Sequence, residues 1–327
     1  MNLYIDRENV YSLIANTKHQ LYSDSLKTMQ KHLNVFFNFK KTDLANDEIL
    51  LAWIKSFTEG VGKHSKQAFN EEIFPARPIK RDSHNVMDRD QLSSIYLICD
   101  DRMDLLKDKG TVLIGAPGEE FEVFNQIFLY NEDYKFEKKF KIGSTAFNKW
   151  ADIERYCSCV TDILFIDNFI LSDPSLIDAN FISFLRILVS KSKYPIRIVL
   201  LVNTDRVSLS FKDIRLKIRS EIEQVTGCKP YFTLVKVRDQ RGVKSLAEHD
   251  RTICTNYLRI YSGDSFNYFK TNGDVITKGR EIHISSLVDY ENHALSNELI
   301  SDIQKKIDEL PESAIEGDKQ SNFLTFK

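Results

Sequence analysis

Strand-like and helix-like segments alternate through the second half of this sequence, and that alternation restricts the fold more than any other feature. Thr161 to Asp167, Pro195 to Asn203 and Tyr231 to Val237 are apolar runs with the length of buried strands. Leu176 to Ser190 and Phe211 to Val225, which lie between them, repeat apolar residues at helical spacing. Strands that alternate with helices are typical of a parallel sheet covered on both faces, so we predict an α/β fold.

The first half of the chain contains a less regular series of strands and helices. Strands are predicted at Asn2 to Asp6 and at Val35 to Phe39, and helices at Glu8 to Leu33 and at Asp47 to Phe57. The polar, proline-containing stretch from Gly60 to Asp90 has the composition of a loop. These segments predict a separate α/β unit in the N-terminal half.

The length of 327 residues is sufficient for two domains of ordinary size. We predict an N-terminal α/β domain over residues 1–150. A second domain, over residues 151–310, is predicted to contain a mixed sheet flanked by helices and to end in a helix from Asn297 to Leu310. The remaining residues, 311–327, are predicted to form a flexible tail.

The composition is that of a globular protein, and it gives no sign of a membrane segment or a metal site. No apolar run is long enough to span a bilayer, and Asp6 stands where a signal peptide would carry its basic flank and apolar core. The five cysteines form no paired C-x2-C sets, which favours buried reduced thiols. We therefore expect a cytoplasmic protein that has no cofactor and does not insert into a membrane.

The formal net charge is only −2, but the charges are distributed unevenly along the chain. The stretch from Arg186 to Arg259 contains sixteen Lys and Arg residues against seven Asp and Glu residues. The stretch from Asp289 to Asp318 contains nine acids against two lysines. Two explanations are open: the basic stretch binds a polyanion, or both stretches are the solvated faces of helices.

The most distinctive polar pattern occupies residues 249–267 and begins inside the basic stretch. It contains a predicted strand from Thr252 to Thr255, a turn, a second strand from Leu258 to Tyr261 and a glycine corner. Polar residues stand at the ends of both strands. They form the pattern H-x-R-x4-N-x6-G-D-x2-N, which is made by His249, Arg251, Asn256, Gly263, Asp264 and Asn267.

This spacing resembles the signature of the phospholipase D superfamily, H-x-K-x4-D-x6-G-S-x2-N, with three positions changed and every interval kept. The resemblance covers the second half of the chain, where the predicted order of strands and helices agrees with a phospholipase D-like half-domain. It implies that His249 is a nucleophile that attacks phosphorus, a role suited to a neutral imidazole. It also implies that Arg251 and Asn267 hold the phosphate oxygens. With Asn256 in the aspartate position, these four residues are the predicted catalytic set.

Two of the changes argue against an active enzyme. Asn256 lacks the negative charge of an aspartate, which weakens hydrolysis, and Asp264 places a carboxylate near the anion pocket, which opposes the binding of a dianion. Our preferred hypothesis is therefore a prokaryotic protein, acting in a defence or mobile-element system, that binds the DNA or RNA backbone through a degenerate domain of this kind. The predicted phosphate-binding residues are Arg238, Arg241, Lys244, Arg251, Arg259 and Ser265.

Two other functions remain open. The sequence has no second copy of the motif, so an active, metal-independent phosphodiesterase or nuclease would need a homodimer that pairs His249 with its symmetry mate. Alternatively, the acidic C-terminal helix docks a partner protein, which would make the chain a structural adaptor of a larger complex.

A different motif follows the first predicted strand, where Tyr4 to Asn9 is similar to the Asp-x-x-Asn start of PIN-like NYN ribonucleases. In sites of that kind, carboxylates at the ends of strands hold Mg²⁺ or Mn²⁺. The sequence shows no third acidic strand. We therefore favour a role for Asp6 and Asn9 in capping the helix that follows.

Overall fold

The computed structural model describes residues 1–16, 18, 22–23, 26–27, 29, 32–58, 67–69, 92–98, 111, 136–158, 160–237 and 251–327, and the statements below concern these residues. They form one sheet of four strands and one of eight, with helices packed beside them. The predicted α/β fold class, with a large mixed sheet flanked by helices, is confirmed.

The four-stranded sheet comes from the N-terminal part of the chain and is parallel, in the order β3-β2-β1-β4. Its side chains alternate between two apolar layers: Leu3 and Ile5 are fully buried on one face, and Tyr4 stacks on Tyr96 at 4.7 Å on the other. The predicted loop from Gly60 to Asp90 contains β3 and otherwise lies outside the described residues. The elements are β1 (Asn2–Ile5), α1 (Arg7–Ala15), β2 (Asn34–Phe37), α2 (Glu48–Thr58), β3 (Gln67–Phe69) and β4 (Ile95–Leu97).

The eight-stranded sheet has the order β12-β8-β7-β6-β9-β10-β11-β5. Its three central apolar strands, β6, β7 and β8, are parallel, as the sequence predicts. The other neighbours pair antiparallel. The strands are β5 (Glu137–Lys141), β6 (Asp162–Ile166), β7 (Arg197–Asn203), β8 (Tyr231–Val237), β9 (Arg251–Thr255), β10 (Leu258–Ser262), β11 (Glu281–Ser286) and β12 (Ile315–Gly317).

Helices cover both faces of this sheet. The helices α3 (Ser183–Val189) and α4 (Phe211–Thr226) pack on the face that contains Phe165, and the long α5 (Tyr290–Glu309) packs on the face that contains Leu164. This arrangement explains why β6 is apolar at successive positions instead of alternating. In the described part of the chain, no helix is both long enough and apolar enough to cross a bilayer.

The large sheet extends further towards the N-terminus than the predicted boundary at residue 150. Strand β5 pairs with β11 and forms the edge of the sheet beyond it. Phe140 and Phe147 are buried in the same core as α3 and α4. This strand was not predicted because only one of its five residues, Phe140, is buried. Its three lysines give it the composition of a polar segment.

The C-terminal residues are packed, which corrects the prediction of a flexible tail at 311–327. Strand β12 pairs antiparallel with β8. Beyond it, Phe323 and Leu324 are buried against the α5 face of the sheet. The backbone N–H of Asn322 donates to the buried carboxylate of Asp162 at 2.8 Å. Pairing, apolar burial and this hydrogen bond together fix the segment on the sheet.

The two sheets share apolar contacts. Tyr257, Leu287 and Val288 follow strands of the large sheet, yet they are buried in the cluster that contains the core of the four-stranded sheet. The hydroxyl of Tyr257 also donates to the carbonyl oxygen of Ser94 at 3.4 Å. The two predicted α/β units are therefore packed against each other.

Candidate functional site

The polar residues of the motif lie at one edge of the large sheet. The carboxyl ends of the parallel strands β6, β7 and β8 meet at this edge, which is where open α/β sheets usually bind ligands. Antiparallel pairing brings the start of β9 and the end of β10 to the same place, since Thr252 pairs with Ile166 and Arg251 pairs with Ser262. Arg251 is thereby set beside Asp167, the residue that follows β6.

Two arginines share one aromatic ring at this edge. The guanidinium carbon of Arg251 lies 5.6 Å from the centre of the Phe169 ring, and that of Arg206 lies 5.3 Å from it. Neither arginine forms an ion pair with a carboxylate among the described residues. The Nε of Arg251 is also buried without a hydrogen-bond partner there. The edge therefore carries two adjacent positive charges that are held in place but not neutralised by an ion pair.

Asp167 fixes the loop that follows β10. Its buried carboxylate accepts hydrogen bonds from the backbone N–H of Phe169, the hydroxyl of Ser265 and the backbone N–H of Phe266, each at 2.8 Å. Burial raises the pKa of Asp167, while these hydrogen bonds and the charge of Arg251 act in the opposite direction. The carboxylate thus joins the end of β6 to the segment that carries Ser265 and Asn267.

Asn267 belongs to the same cluster. Its Nδ2 donates to the carbonyl oxygen of Phe169 at 2.8 Å. Its Oδ1 is buried and has no hydrogen-bond partner among the described residues. The structure therefore brings together three of the predicted site residues, Arg251, Ser265 and Asn267, around the segment from Asp167 to Phe169.

The glycine corner is open. Gly263 is exposed and does not adopt a positive φ, and a Cβ built on it would meet no atom within 4 Å. The neighbouring Asp264 pairs with the Nε of Arg280 at 2.8 Å. The carboxylate that the sequence suggests would repel a dianion is therefore offset by a cation.

Asn256 does not reach this site, contrary to its predicted place in the catalytic set. It follows the carboxyl end of β9, five residues from Arg251, which corresponds to about 16 Å along an extended strand. Its Oδ1 accepts from the backbone N–H groups of Thr161 and Asp162 at 2.9 and 3.0 Å. Asn256 therefore secures the start of β6, and the absence of a charge there says nothing about chemistry at Arg251.

Arg259 is also directed away from Arg251. Arg259 is paired across the strands with Cys254, whose side chain lies in the core beneath α5. Arg251 lies on the same face of β9 as Ile253, whose side chain lies in the core beneath α3 and α4. The Arg259 guanidinium lies over the ring of Tyr261 at 5.7 Å. It is therefore not part of the two-arginine cluster.

The remaining predicted residues, His249, Arg238, Arg241 and Lys244, lie outside the described residues. Their proposed roles as nucleophile and phosphate contacts stay predictions. The segment that contains them connects Val237 to Arg251, and both of these residues lie at the edge described above.

Much of the basic stretch is neutralised within the fold. Lys236 pairs with Glu316 and Arg215 pairs with Asp318, so the acidic C-terminal region covers part of the basic one. Arg206, by contrast, forms no ion pair with any residue that the structure describes, and sequence reasoning missed it together with Asp167 and Phe169. One signal could have found them, because all three follow closely on the ends of apolar parallel strands.

At the N-terminus, the capping role predicted for Asp6 is confirmed. Its side chain accepts from the backbone N–H of Asn9 at 2.8 Å and so caps α1. Within the described ranges, no cluster of three or more His, Cys, Asp or Glu side chains has the arrangement of a metal site.

In comparisons with known proteins, no family model matches this sequence and no curated protein matches it significantly.

Proposed function

We propose that this protein binds phosphate groups at the carboxyl edge of the large sheet, and that its ligand is the backbone of DNA or RNA. The observation that carries the proposal is the pair of guanidinium groups, Arg206 and Arg251, that lie over the ring of Phe169 and form no ion pair among the described residues. A guanidinium that lies over an aromatic ring and has no ion-pair partner can present its terminal N–H groups to two phosphate oxygens.

Two further features support a phosphate ligand. Asn267 lies beside the arginines, and its Nδ2 has a second N–H beyond the one that it donates to Phe169; amide side chains of this kind commonly contact backbone phosphates. The resemblance of residues 249–267 to the phospholipase D motif points to the same ligand chemistry. A phosphate polymer also accounts for these charges better than a solvated helix face would, because Arg251 begins β9 and Arg206 ends a three-residue 3-10 turn after β7, so neither lies on the face of an α-helix.

The proposal is tested by fluorescence anisotropy with labelled single- and double-stranded DNA and with RNA at about 100 mM salt. We expect Arg206→Gln and Arg251→Gln each to weaken binding, and the double variant to weaken it by about tenfold or more. Losing two phosphate contacts should also reduce the slope of log K against log salt by about 2. Lys212→Gln, which removes one exposed charge on α4, is the matched control.

If the double arginine variant binds nucleic acid as tightly as the Lys212→Gln control, the two-arginine cluster is not the binding site. If the bound nucleic acid is cleaved in the presence of a chelator, and His249→Ala abolishes the cleavage, the protein is instead a metal-independent phosphodiesterase. In that case size measurements should reveal a homodimer, because the sequence carries one copy of the motif.

A further inference from the structure

A surface pocket of about 340 Å³ lies beside α3, and neither Arg206 nor Arg251 lines it. Its walls come from the turn that contains Lys149 and Trp150, from Arg186 and Ile187 on α3, and from the loop at Phe269. The volume is within the range of small-molecule sites, about 300–1,000 Å³. Its size therefore suits one small ligand and not a polymer.

The lining is positively charged. It includes Lys149, Arg186 and Lys270 and no acidic side chain. Arg186 is paired with Glu221, but the two lysines are exposed and form no ion pair among the described residues. Asp152, on the same turn as Lys149, is occupied by the backbone N–H groups of Asn148 and Lys149 at 2.9 and 3.1 Å. The charge that remains at the rim suits an anion.

The floor of the pocket is mainly apolar, with Trp150, Ile187 and Phe269 among its residues. Trp150 is stacked between Phe184, at 4.0 Å, and Tyr268, at 5.4 Å, so only the edge of its ring can face the pocket. The indole N–H lies on the ring edge and is buried without an acceptor among the described residues. A floor of this kind can pack against the less polar part of a ligand.

We infer that this pocket binds a small organic phosphate. Lys149 and Lys270 hold its phosphate, and its less polar body lies against Ile187, Phe269 and the edge of Trp150. This site is separate from the proposed nucleic-acid surface and does not depend on it. The two are nevertheless connected in the chain, because Asn180 accepts from the backbone N–H groups of Tyr268 and Phe269 at 2.8 and 2.9 Å and anchors the loop that leaves Asn267.

The test uses isothermal titration of the full-length protein with adenosine monophosphate, inorganic phosphate and adenosine. We expect the nucleotide to bind more tightly than either of its parts, since each part engages only the rim or only the floor. The double variant Lys149→Gln, Lys270→Gln should weaken nucleotide binding by about tenfold, while Lys212→Gln leaves it unchanged. Both lysines are exposed, so these variants are expected to fold.

Three results would overturn the inference: no nucleotide binding at millimolar concentration, equal binding of adenosine and the nucleotide, or unchanged binding by the double lysine variant. The nucleotide pocket and the nucleic-acid surface can be disproved independently of each other. Arg206→Gln with Arg251→Gln should retain nucleotide affinity, and the double lysine variant should retain nucleic-acid affinity. Fluorescence of Trp150 in a Trp53→Phe background gives a second readout, because Trp150 lines the pocket and no third tryptophan is present in the sequence.

Discussion

At the scale of single residues, Gly263 is the position whose identity the fold does not explain. A glycine is usually required by a positive φ or by a close neighbour, and Gly263 has neither. Glycine is also used where a ligand must approach the backbone closely. Gly263 follows Ser262, which pairs with Arg251, so a ligand on the arginines would pass near it.

We therefore expect Gly263→Ala to change the free energy of unfolding by no more than about 0.5 kcal/mol while weakening nucleic-acid binding severalfold. Gly227→Ala is the matched control. Gly227 ends α4 with φ of 71°, so alanine there should cost about 1 kcal/mol of stability and leave binding intact. Urea unfolding and anisotropy measure the two effects. Full binding by Gly263→Ala would show that no ligand approaches this corner.

The residues of the site show what the sequence could and could not predict. Arg251, Ser265 and Asn267 were identified because they belong to one local pattern. Arg206 and Asp167 come from the ends of β7 and β6, and only the parallel pairing of those strands brings them to Arg251. Asn256 was wrongly assigned to the site, because the spacing of a motif does not show at which end of a strand each residue lies.

At the scale of elements, the buried strands and the amphipathic helix α4 were predictable because their own side chains determine them. The helix α4 matches its prediction from Phe211 almost to its end, with Gly227 as the C-cap. Strands β5 and β12 were not predictable. One has a single fully buried residue and the other has only three residues, so both depend on the neighbours with which they pair.

Helix α5 contains a histidine that should make stability depend on pH. Burial lowers the pKa of His293 to about 4, whereas an unfolded histidine titrates near 6.5. The unfolded state therefore binds the proton more tightly, and stability falls as the pH decreases from about 6.5 towards 4. Between pH 7 and pH 5 this residue alone should account for a loss of about 2 kcal/mol.

Urea unfolding at the two pH values, for the wild type and for His293→Gln, measures this contribution. The variant should lose less stability than the wild type between pH 7 and pH 5, because glutamine does not titrate. A pH dependence identical in both proteins would show that His293 is protonated as easily in the fold as in the unfolded chain.

At the scale of the whole molecule, the two sheets are joined by apolar burial. Tyr257 and Leu287 are connected by a hydrogen bond of 2.9 Å from the Leu287 backbone N–H to the Tyr257 carbonyl oxygen, and both side chains enter the core of the four-stranded sheet. Unfolding that sheet alone would expose them to water. This cost should couple the two halves of the chain, although the sequence suggests two separate domains.

The two tryptophans allow this coupling to be measured, because Trp53 lies in the N-terminal core and Trp150 lies in the core of the large sheet. Trp53→Phe and Trp150→Phe each leave one reporter. Leu287→Ala, introduced into both single-tryptophan proteins, should remove about 2–5 kcal/mol of stability. If the sheets unfold together, the urea midpoints reported by Trp53 and Trp150 will fall by the same amount. If the Trp53 midpoint falls and the Trp150 midpoint stays, the N-terminal sheet is an independent unit, and ligand binding at the large sheet cannot be transmitted to it through this contact.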